Sequence, residues 1–252
     1  MSIITLLTDF GTADNYVAEV KGVLLSRAPT ATLVDVSHDV PPGSVRAGQY
    51  LLSRVWSRFP AGTVHLAVVD PGVGTDRRAL AAQAGGHRFV GPDNGLFTPL
   101  PEDARFVALP ILRDASPTFH ARDVFAPAAA RLAAGARLDE LGTAVSDVVR
   151  VPLAAPRVSD TAVIGEVVYA DRFGTLISNI PRELVRSGAP IKVAETAVGP
   201  LRRTFGDVAS GKLVAYVGSG GTVEIAVRDG SAAGVLGVGV GALVTADRGR
   251  TR

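Results

Sequence analysis

A carboxylate and two arginines flank a glycine-rich turn in residues 64–78, which read VHLAVVDPGVGTDRR. An apolar run over 64–69 ends on Asp70, and the turn Pro-Gly-Val-Gly then leads to Arg77 and Arg78. Glycine lets a backbone turn tightly and approach a ligand closely, and loops held by a rigid scaffold often carry function. The stretch therefore predicts an active-site loop, whose chemistry depends on partners elsewhere in the chain.

Of the four histidines, His120 is the one best placed to serve as a general base or to orient a water molecule. It lies between an apolar stretch and a charged helix start, and imidazole titrates near neutral pH. The other three have plainer interpretations. His65 alternates with apolar residues and is predicted to pack in a sheet, His87 is predicted on a turn surface, and His38 is expected to orient a turn rather than face a ligand.

Three further motifs suggest nucleotide or metal chemistry, but each is incomplete. Asp-Phe-Gly at 9–11 spells a kinase tripeptide, yet no glycine-rich ATP loop or catalytic loop accompanies it. Gly-Val-Gly at 72–74 has neither a third glycine nor a following Lys-Ser/Thr, which favours a simple tight turn. Magnesium ligands could come from the turn aspartates Asp9, Asp14, Asp70, Asp76 and Asp93. Because such residues more often cap helices and stabilise turns, metal is the minority interpretation and no metal ligand is assigned.

Alternating strand and helix patterns predict a mostly parallel sheet beneath these residues. The predicted strands are 3–8, 32–36 and 64–69, and the predicted helices between them are 15–28 and 44–59. Parallel neighbours need crossover connections, and in such folds ligands bind outside the carboxyl ends of the strands. Asp9 and Asp70 each end a strand, so we expect them to share one crevice.

The second half of the chain changes in pattern. A hairpin around Gly85-Gly86, a strand at 106–109 and a helix at 123–134 with Pro127 in its first turn complete the first region. Prolines between 149 and 159 then mark a boundary, and the remainder has short β-like runs separated by Gly and Ser, typical of a small barrel or sandwich. We predict an α/β domain with flanking helices over 1–150, a linker over 151–159 and a β domain over 160–252.

Composition excludes several classes of protein. A chain of 252 residues with 47% hydrophobic side chains can bury a large core. The net charge of +2 gives no broad basic field for nucleic acid or an anionic membrane, and the lack of cysteine excludes disulfides and thiol nucleophiles. No apolar run is long enough to span a membrane and no signal peptide is evident, so we expect a cytoplasmic protein.

Five short motifs stand out in combination. They are TDFG at 8–11, VDVSH at 34–38, VDPGVG at 69–74, GPDNG at 91–95 and DRFG at 171–174. Together they resemble the S-adenosylmethionine (SAM) hydroxide adenosyltransferases, SAM hydrolases related to fluorinase and chlorinase. The resemblance implies an α/β domain with a C-terminal β-barrel, and a homotrimer with active sites between subunits. It also implies cleavage of the substrate SAM by water to adenosine and L-methionine, with no cofactor.

The resemblance also assigns roles to particular residues. A catalytic triad maps onto Asp70, Arg77 and His120, which are expected to hold one water for in-line attack on the ribose 5′ carbon. Whether Asp70 or His120 accepts the proton stays open. The remaining assignments are substrate contacts: Asp9 to the ribose hydroxyls, Asp171 to the methionine amino group, Phe173 beside the ligand and Ser219 to the methionine carboxylate.

Two departures from the family pattern concern the walls of the site. Thr175 stands where the family commonly has an asparagine that contacts adenine, and Asn179 is an alternative contact nearby. Gly43 stands where fluorinating relatives have a bulky aromatic residue. Because of these two departures, the sequence does not determine how this chain contacts the adenine or which substrate it prefers.

The same motifs favour a hydrolase over a halide adenosyltransferase. Halogenating relatives have a serine where this chain has Ala121 and a tyrosine where it has Asp70, and a carboxylate repels a halide ion. A SAM or adenosine sensor without turnover and a metal-dependent phosphohydrolase remain as alternative classes.

Overall fold

The computed structural model describes residues 2–249. The chain forms two compact units, the first ending at Pro152 and the second beginning at Leu153. In the described part of the chain, no helix combines the length and the apolar character needed to cross a membrane.

A seven-stranded sheet forms the centre of the first unit, in the order β2-β1-β3-β5-β4-β6-β7. Its strands are β1 (Ile3–Thr8), β2 (Thr32–Ser37), β3 (Val64–Val68), β4 (Ala79–Ala84), β5 (His87–Pro92), β6 (Arg105–Leu109) and β7 (Thr143–Val145). The first four strands in that order run parallel, and β4, β6 and β7 continue the sheet with antiparallel pairing. The predicted α/β class is confirmed.

Helices α1 (Tyr16–Arg27), α2 (Val45–Val55) and α3 (Ala126–Ala133) flank this sheet. The Ser44 side chain caps α2 as the sequence predicts, accepting a hydrogen bond from the backbone N–H of Ala47 at 3.3 Å. Pro127 lies in the first turn of α3, where its missing N–H is not needed. The helix predicted over 123–134 has one unexpected feature, a π-helical turn at Ala121–Phe125 that precedes α3.

Two histidines meet in the interior of this sheet. His65 is buried as predicted, but the surface position predicted for His87 is wrong, because only 5% of that residue is exposed. His65 Nδ1 lies 2.8 Å from the Thr5 hydroxyl, and its Nε2 lies 3.1 Å from His87 Nδ1. His87 begins β5, where it shares a face with Phe89 two residues later, and Trp56 packs against both rings.

The second unit is a closed β-barrel, as predicted. Its strands are β8 (Arg157–Val158), β9 (Ala162–Ala170), β10 (Leu176–Pro181), β11 (Pro190–Val193), β12 (Thr196–Arg202), β13 (Leu213–Val217), β14 (Thr222–Val227) and β15 (Leu243–Asp247). Seven of them close a ring through pairing of β10 with β9, and β8 pairs only with β9. The short helix α4 (Ala232–Leu236) packs against the apolar interior and contributes the buried Ala232.

Candidate active site

Asp70, Arg77 and His120 form one buried cluster at the end of β3. Arg77 Nε donates to Asp70 Oδ1 at 2.9 Å, and Arg77 Nη2 donates to Asp70 Oδ2. The same Nη2 lies 2.8 Å from His120 Nδ1. The side chains of Arg77 and Asp70 are only 8% and 5% exposed, so this bidentate ion pair lies in a poorly solvated setting where electrostatic interactions are strong.

One guanidinium nitrogen of Arg77 has no role in this network. Within the described residues, the buried Nη1 has no hydrogen-bond partner. The guanidinium carbon also lies 5.3 Å from the centre of the Phe125 ring, which restricts the orientation of the group. A buried and unpaired charged donor is costly, so the site suits an additional polar group that would accept from Nη1.

The hydrogen bond from Arg77 determines which nitrogen of the His120 ring carries the proton. A guanidinium only donates, so Nδ1 must accept and the neutral ring carries its proton on Nε2. Burial lowers the pKa of His120, and the positive charge of Arg77 lowers it further, although Asp70 and Asp123 act in the opposite direction. His120 is therefore a neutral imidazole that can donate from Nε2.

One glycine, Gly74, lets the two loops of the cluster approach each other. Gly74 has φ +78°, and a Cβ there would lie 2.7 Å from the Pro117 carbonyl oxygen. Only glycine lets the turn after Asp70 approach the segment that leads into His120 this closely. His120 is the residue immediately before the π-helical turn, a distortion that is frequent at functional sites.

Arg78 has a different task from Arg77. Its Nε donates to the buried Asp93 at 2.7 Å, and its other nitrogens bind the Asp147 carboxylate and backbone. Asp93 also accepts from the backbone N–H of Val149 at 2.8 Å. These contacts connect the GPDNG turn to the last residues of the first unit. Arg77 therefore belongs to the buried cluster, whereas the adjacent Arg78 stabilises the fold.

Asp9 lies at the end of β1, close to the same loops. Its Oδ2 accepts a hydrogen bond from the backbone N–H of Gly43 at 2.8 Å. Gly43 has φ +70°, and a Cβ there would lie 3.7 Å from Pro71, next to Asp70. Asp9 also lines an open cavity of about 520 Å³ with Phe10, Tyr16, Phe119 and Arg122 among others. The structure therefore brings the two predicted strand-end carboxylates to one region.

The other predicted binding residues lie in the second unit. Asp171, Phe173, Thr175 and Ser219 line a cavity of about 1030 Å³ on the outside of the barrel. Asp171 Oδ1 accepts from the backbone N–H groups of Phe173 and Thr175 at 2.9 and 2.8 Å, which fixes the turn. The Phe173 residue is 76% exposed, unusually high for an aromatic residue.

Asn179 is used for structure within the second unit. Its Oδ1 accepts from the backbone N–H of Glu166 at 2.8 Å, and its Nδ2 donates to the Ala154 carbonyl at 2.6 Å. Both ends of the amide therefore have backbone partners. Its assignment as an adenine contact stays a prediction, and these contacts give it no support.

Two residues of the barrel cavity were not singled out from sequence. Tyr216 on β13 and Glu224 on β14 lie directly opposite each other in the antiparallel register, and both line the cavity. The only sequence signal would have been a polar residue on each of two neighbouring apolar strands. Across residues 2–249, no group of three or more His, Cys, Asp or Glu side chains is arranged to hold a metal ion.

Comparison with known proteins identifies the family of both units. Residues 4–142 match the family model described as the SAM hydroxide adenosyltransferase N-terminal domain, and residues 165–245 match the corresponding C-terminal domain. A protein named (R)-S-adenosyl-L-methionine hydrolase from Thermus thermophilus is 44% identical over 94% of this chain and 96% of its own length. A protein of the same name from Salinispora tropica is 43% identical over 93% of this chain and 94% of its own length.

Fluorinases are more distant relatives. One from an Actinoplanes species is 32% identical over 89% of this chain and 90% of its own. Among solved structures, that of an uncharacterized conserved protein from Thermotoga maritima superposes with a TM-score of 0.90 at 35% identity, covering 97% of this chain and 100% of that one.

The first unit is a mixed α/β sheet with a buried Asp-Arg-His cluster at the end of β3, and the second unit is a closed β-barrel. With both family models matched, the chain belongs to the SAM hydroxide adenosyltransferase family. The resemblance predicted from five short motifs is confirmed.

Proposed function

We propose that this protein hydrolyses SAM to adenosine and L-methionine by in-line attack of water on the ribose 5′ carbon. The observation that carries the proposal is the buried cluster in which Arg77 donates hydrogen bonds to both Asp70 and His120. Within the described residues its remaining nitrogen, Nη1, has no partner and is free to donate to a water molecule. The names of the hydrolase relatives specify the (R) isomer at sulfur, so we take (R)-SAM as the substrate.

The reaction requires positioning more than acid catalysis. The sulfonium of SAM leaves without protonation, so the site must align a water oxygen with the 5′ carbon and the sulfur. As the C–O bond forms, the C–S bond breaks and its electron pair stays on sulfur. Charge is neutralised at sulfur during this step, and a poorly solvated carboxylate near the axis favours the cationic reactant.

The hydrogen-bond pattern assigns different tasks to the three residues. Arg77 Nη1 and His120 Nε2 are donors, so either can donate a hydrogen bond to one lone pair of the water oxygen and leave the other lone pair to attack carbon. Asp70 is the acceptor, because a carboxylate retains lone pairs after the bidentate contact with Arg77. Water that has begun to bond to carbon is strongly acidic, so even an ion-paired carboxylate can take its proton. We therefore assign proton acceptance to Asp70 and orientation of the water to His120.

Binding roles follow from the family resemblance. Asp9 accepts from the ribose hydroxyls, Asp171 from the methionine ammonium, and Ser219 donates to the methionine carboxylate. Phe173 supplies an apolar surface, and its exposure in one chain supports burial against the ligand or a neighbouring subunit. We further propose a cytoplasmic homotrimer in which the first domain of one subunit and the second of its neighbour share each substrate, with no cofactor.

Incubation of the purified protein with separated (R) and (S) sulfonium isomers of SAM tests this function. Chromatography should show equal amounts of adenosine and methionine from the (R) isomer. The Asp70→Asn protein should lose the activity, whereas Asp76→Asn, a matched change at an exposed position in the same loop, should keep it. Binding of adenosine without methionine release would instead show a sensor.

The fluorinase relatives make halide transfer the second candidate to test. Here Ala121 is buried and cannot donate a hydrogen bond from its side chain to a halide. Addition of chloride or fluoride to the assay should leave adenosine as the nucleoside product. A 5′-halo nucleoside would overturn the assignment, and loss of activity with a chelator would favour the metal-dependent alternative.

A further inference from the structure

Thr8 and His38 form a buried side-chain pair directly beside Asp9. The Thr8 hydroxyl lies 2.8 Å from His38 Nδ1, and the two residues are only 2% and 5% exposed. Thr8 immediately precedes Asp9 in the chain. The sequence predicts only that His38 orients a turn, and neither member of the pair has a part in the proposed reaction. We name this contact the Thr8–His38 pair.

A shift in strand register brings the pair together. β1 and β2 run parallel, and their register shifts by one residue, so that Leu7 lies opposite Ser37 instead of Val36. Irregularities of this kind often re-aim a side chain next to an active site. The residue after Leu7 is Thr8 and the residue after Ser37 is His38, so the shift puts these two at the same level. Without it, Ser37 would lie beside Thr8.

The surroundings of the imidazole set the direction of the hydrogen bond. His38 Nε2 lies 3.1 Å from Asp35 Oδ1, and Lys21 holds the other Asp35 oxygen at 2.6 Å. A carboxylate beside Nε2 favours a proton on that nitrogen, so Nδ1 accepts and the Thr8 hydroxyl donates. The Asp35 contact is poorly directed, since Nε2 makes no hydrogen bond of good geometry within residues 2–249. The bond from Thr8 is therefore the directional contact of this ring.

Backbone hydrogen bonds join the same two segments on both sides of Asp9. The Val40 N–H donates to the Thr8 carbonyl at 3.3 Å, and the Gly11 N–H donates to the His38 carbonyl at 2.8 Å. The chain is thus anchored to the His38 loop both before and after Asp9. With the backbone held in this way, the Thr8–His38 pair fixes the side chain that adjoins the carboxylate-bearing residue.

We propose that His38 is a positioning residue for Asp9: by holding the Thr8 hydroxyl, it keeps the Asp9 carboxylate in the orientation that binds the two ribose hydroxyls. The inference rests on the proposed function, which assigns those hydroxyls to Asp9. A carboxylate accepts from two neighbouring hydroxyls only when its plane is correctly set, and ordering a mobile side chain costs affinity. The pair therefore controls ribose binding without touching the ribose.

Calorimetry with adenosine and 2′,3′-dideoxyadenosine measures the ribose preference directly. The wild-type protein should bind adenosine at least about 10-fold more tightly, since hydrogen bonds to a charged group are strong. Thr8→Val and His38→Leu each remove the pair, so either should reduce the preference to less than about 3-fold by weakening adenosine binding alone. Thr8→Ser keeps the hydroxyl and His38→Asn keeps an acceptor near the position of Nδ1, so both should retain most of the preference.

Thr5 supplies a matched control on the same strand. Its hydroxyl lies 2.8 Å from His65 Nδ1, so Thr5→Val removes the same kind of pair from the core of the sheet. It should lower the free energy of unfolding and leave the ribose preference unaltered. Asp9→Ala should abolish the preference, and the addition of Thr8→Val to it should change nothing further, because both changes act on one contact.

Turnover provides a second measurement. In Thr8→Val, KM for SAM should rise at least about 10-fold with kcat little changed, which is the pattern for loss of uniform binding. Thr8→Val decides alone if His38→Leu fails to fold.

The outcomes separate this inference from the proposed function. If the wild-type protein cleaves no SAM but the ribose preference falls in Thr8→Val and not in Thr5→Val, the proposed function fails and this inference stands. An unchanged preference in Thr8→Val and in folded His38→Leu would overturn the inference. So would an equal fall in Thr5→Val, or equal binding of the two nucleosides by the wild-type protein.

Discussion

Replacement of Asp70 by Asn perturbs both the stability and the chemistry of the candidate site. Each Asp70 oxygen accepts from Arg77, so the amide would turn one N–H donor toward a guanidinium that can only donate. It would also leave a charge that is only 8% exposed without its counter-ion. Breaking a buried ion pair in this way costs about 3–5 kcal/mol, and loss of a general base typically costs 10²–10⁴ in rate.

The two effects can be separated by comparing variants. Adenosine formation should fall at least about 100-fold in Asp70→Asn under conditions where the protein remains folded. His120→Asn retains an acceptor that can face Arg77, so it should lose much less than His120→Ala. Urea unfolding of each variant gives the stability term. If Asp70→Asn kept more than a tenth of the wild-type rate while His120→Asn lost all activity, His120 would be the proton acceptor and the assignment would be wrong.

Three further predictions concern pH and loop packing. The pKa of His120 lies below its ordinary value of 6.5, so kcat/KM should stay constant as the pH is lowered past 6.5. It should fall only at lower pH, when the ring gains a proton and loses its hydrogen bond from Arg77. A steep fall near pH 7 would contradict this. Burial lowers the pKa of His65 to about 3, so the unfolded chain takes up its proton first and stability falls as pH decreases from about 6.5 toward 3. At pH 4.5 the loss should be roughly 3 kcal/mol, and thermal unfolding of His65→Gln against the wild type should show a weaker pH dependence. Gly74→Ala should lower kcat/KM at least 10-fold, whereas Gly62→Ala has similar strain with open space around it and should alter stability only.

The elements that position the cluster of Asp70, Arg77 and His120 were predictable because their sequence patterns are strong. β1 and β3 are nearly uninterrupted apolar runs, and α2 begins at a serine cap. β11 and β12 were not predicted, since Pro190, Gly199 and Pro200 interrupt the strand pattern. Pairing with neighbouring barrel strands supplies what local preference lacks, and such long-range terms are absent from a local pattern.

The candidate site likewise has one part that the sequence predicts and another that only the fold reveals. Asp70 and Arg77 are seven residues apart across a glycine turn, so their pairing could be argued from spacing. His120 is 43 residues beyond Arg77, and its contact depends on how the Gly74 turn packs against the Pro117 backbone. The placement of Tyr216 opposite Glu224 depends on strand register, which the sequence does not reveal without the fold.

The most direct test of the central claim is to follow the oxygen atom of water. The purified protein is incubated with (R)-SAM in ¹⁸O-enriched water, and the products are analysed by mass spectrometry. Attack of water on the ribose 5′ carbon predicts one ¹⁸O atom in adenosine, on the 5′ hydroxyl, and none in methionine. Unlabelled adenosine, or label in methionine, would contradict the proposed reaction.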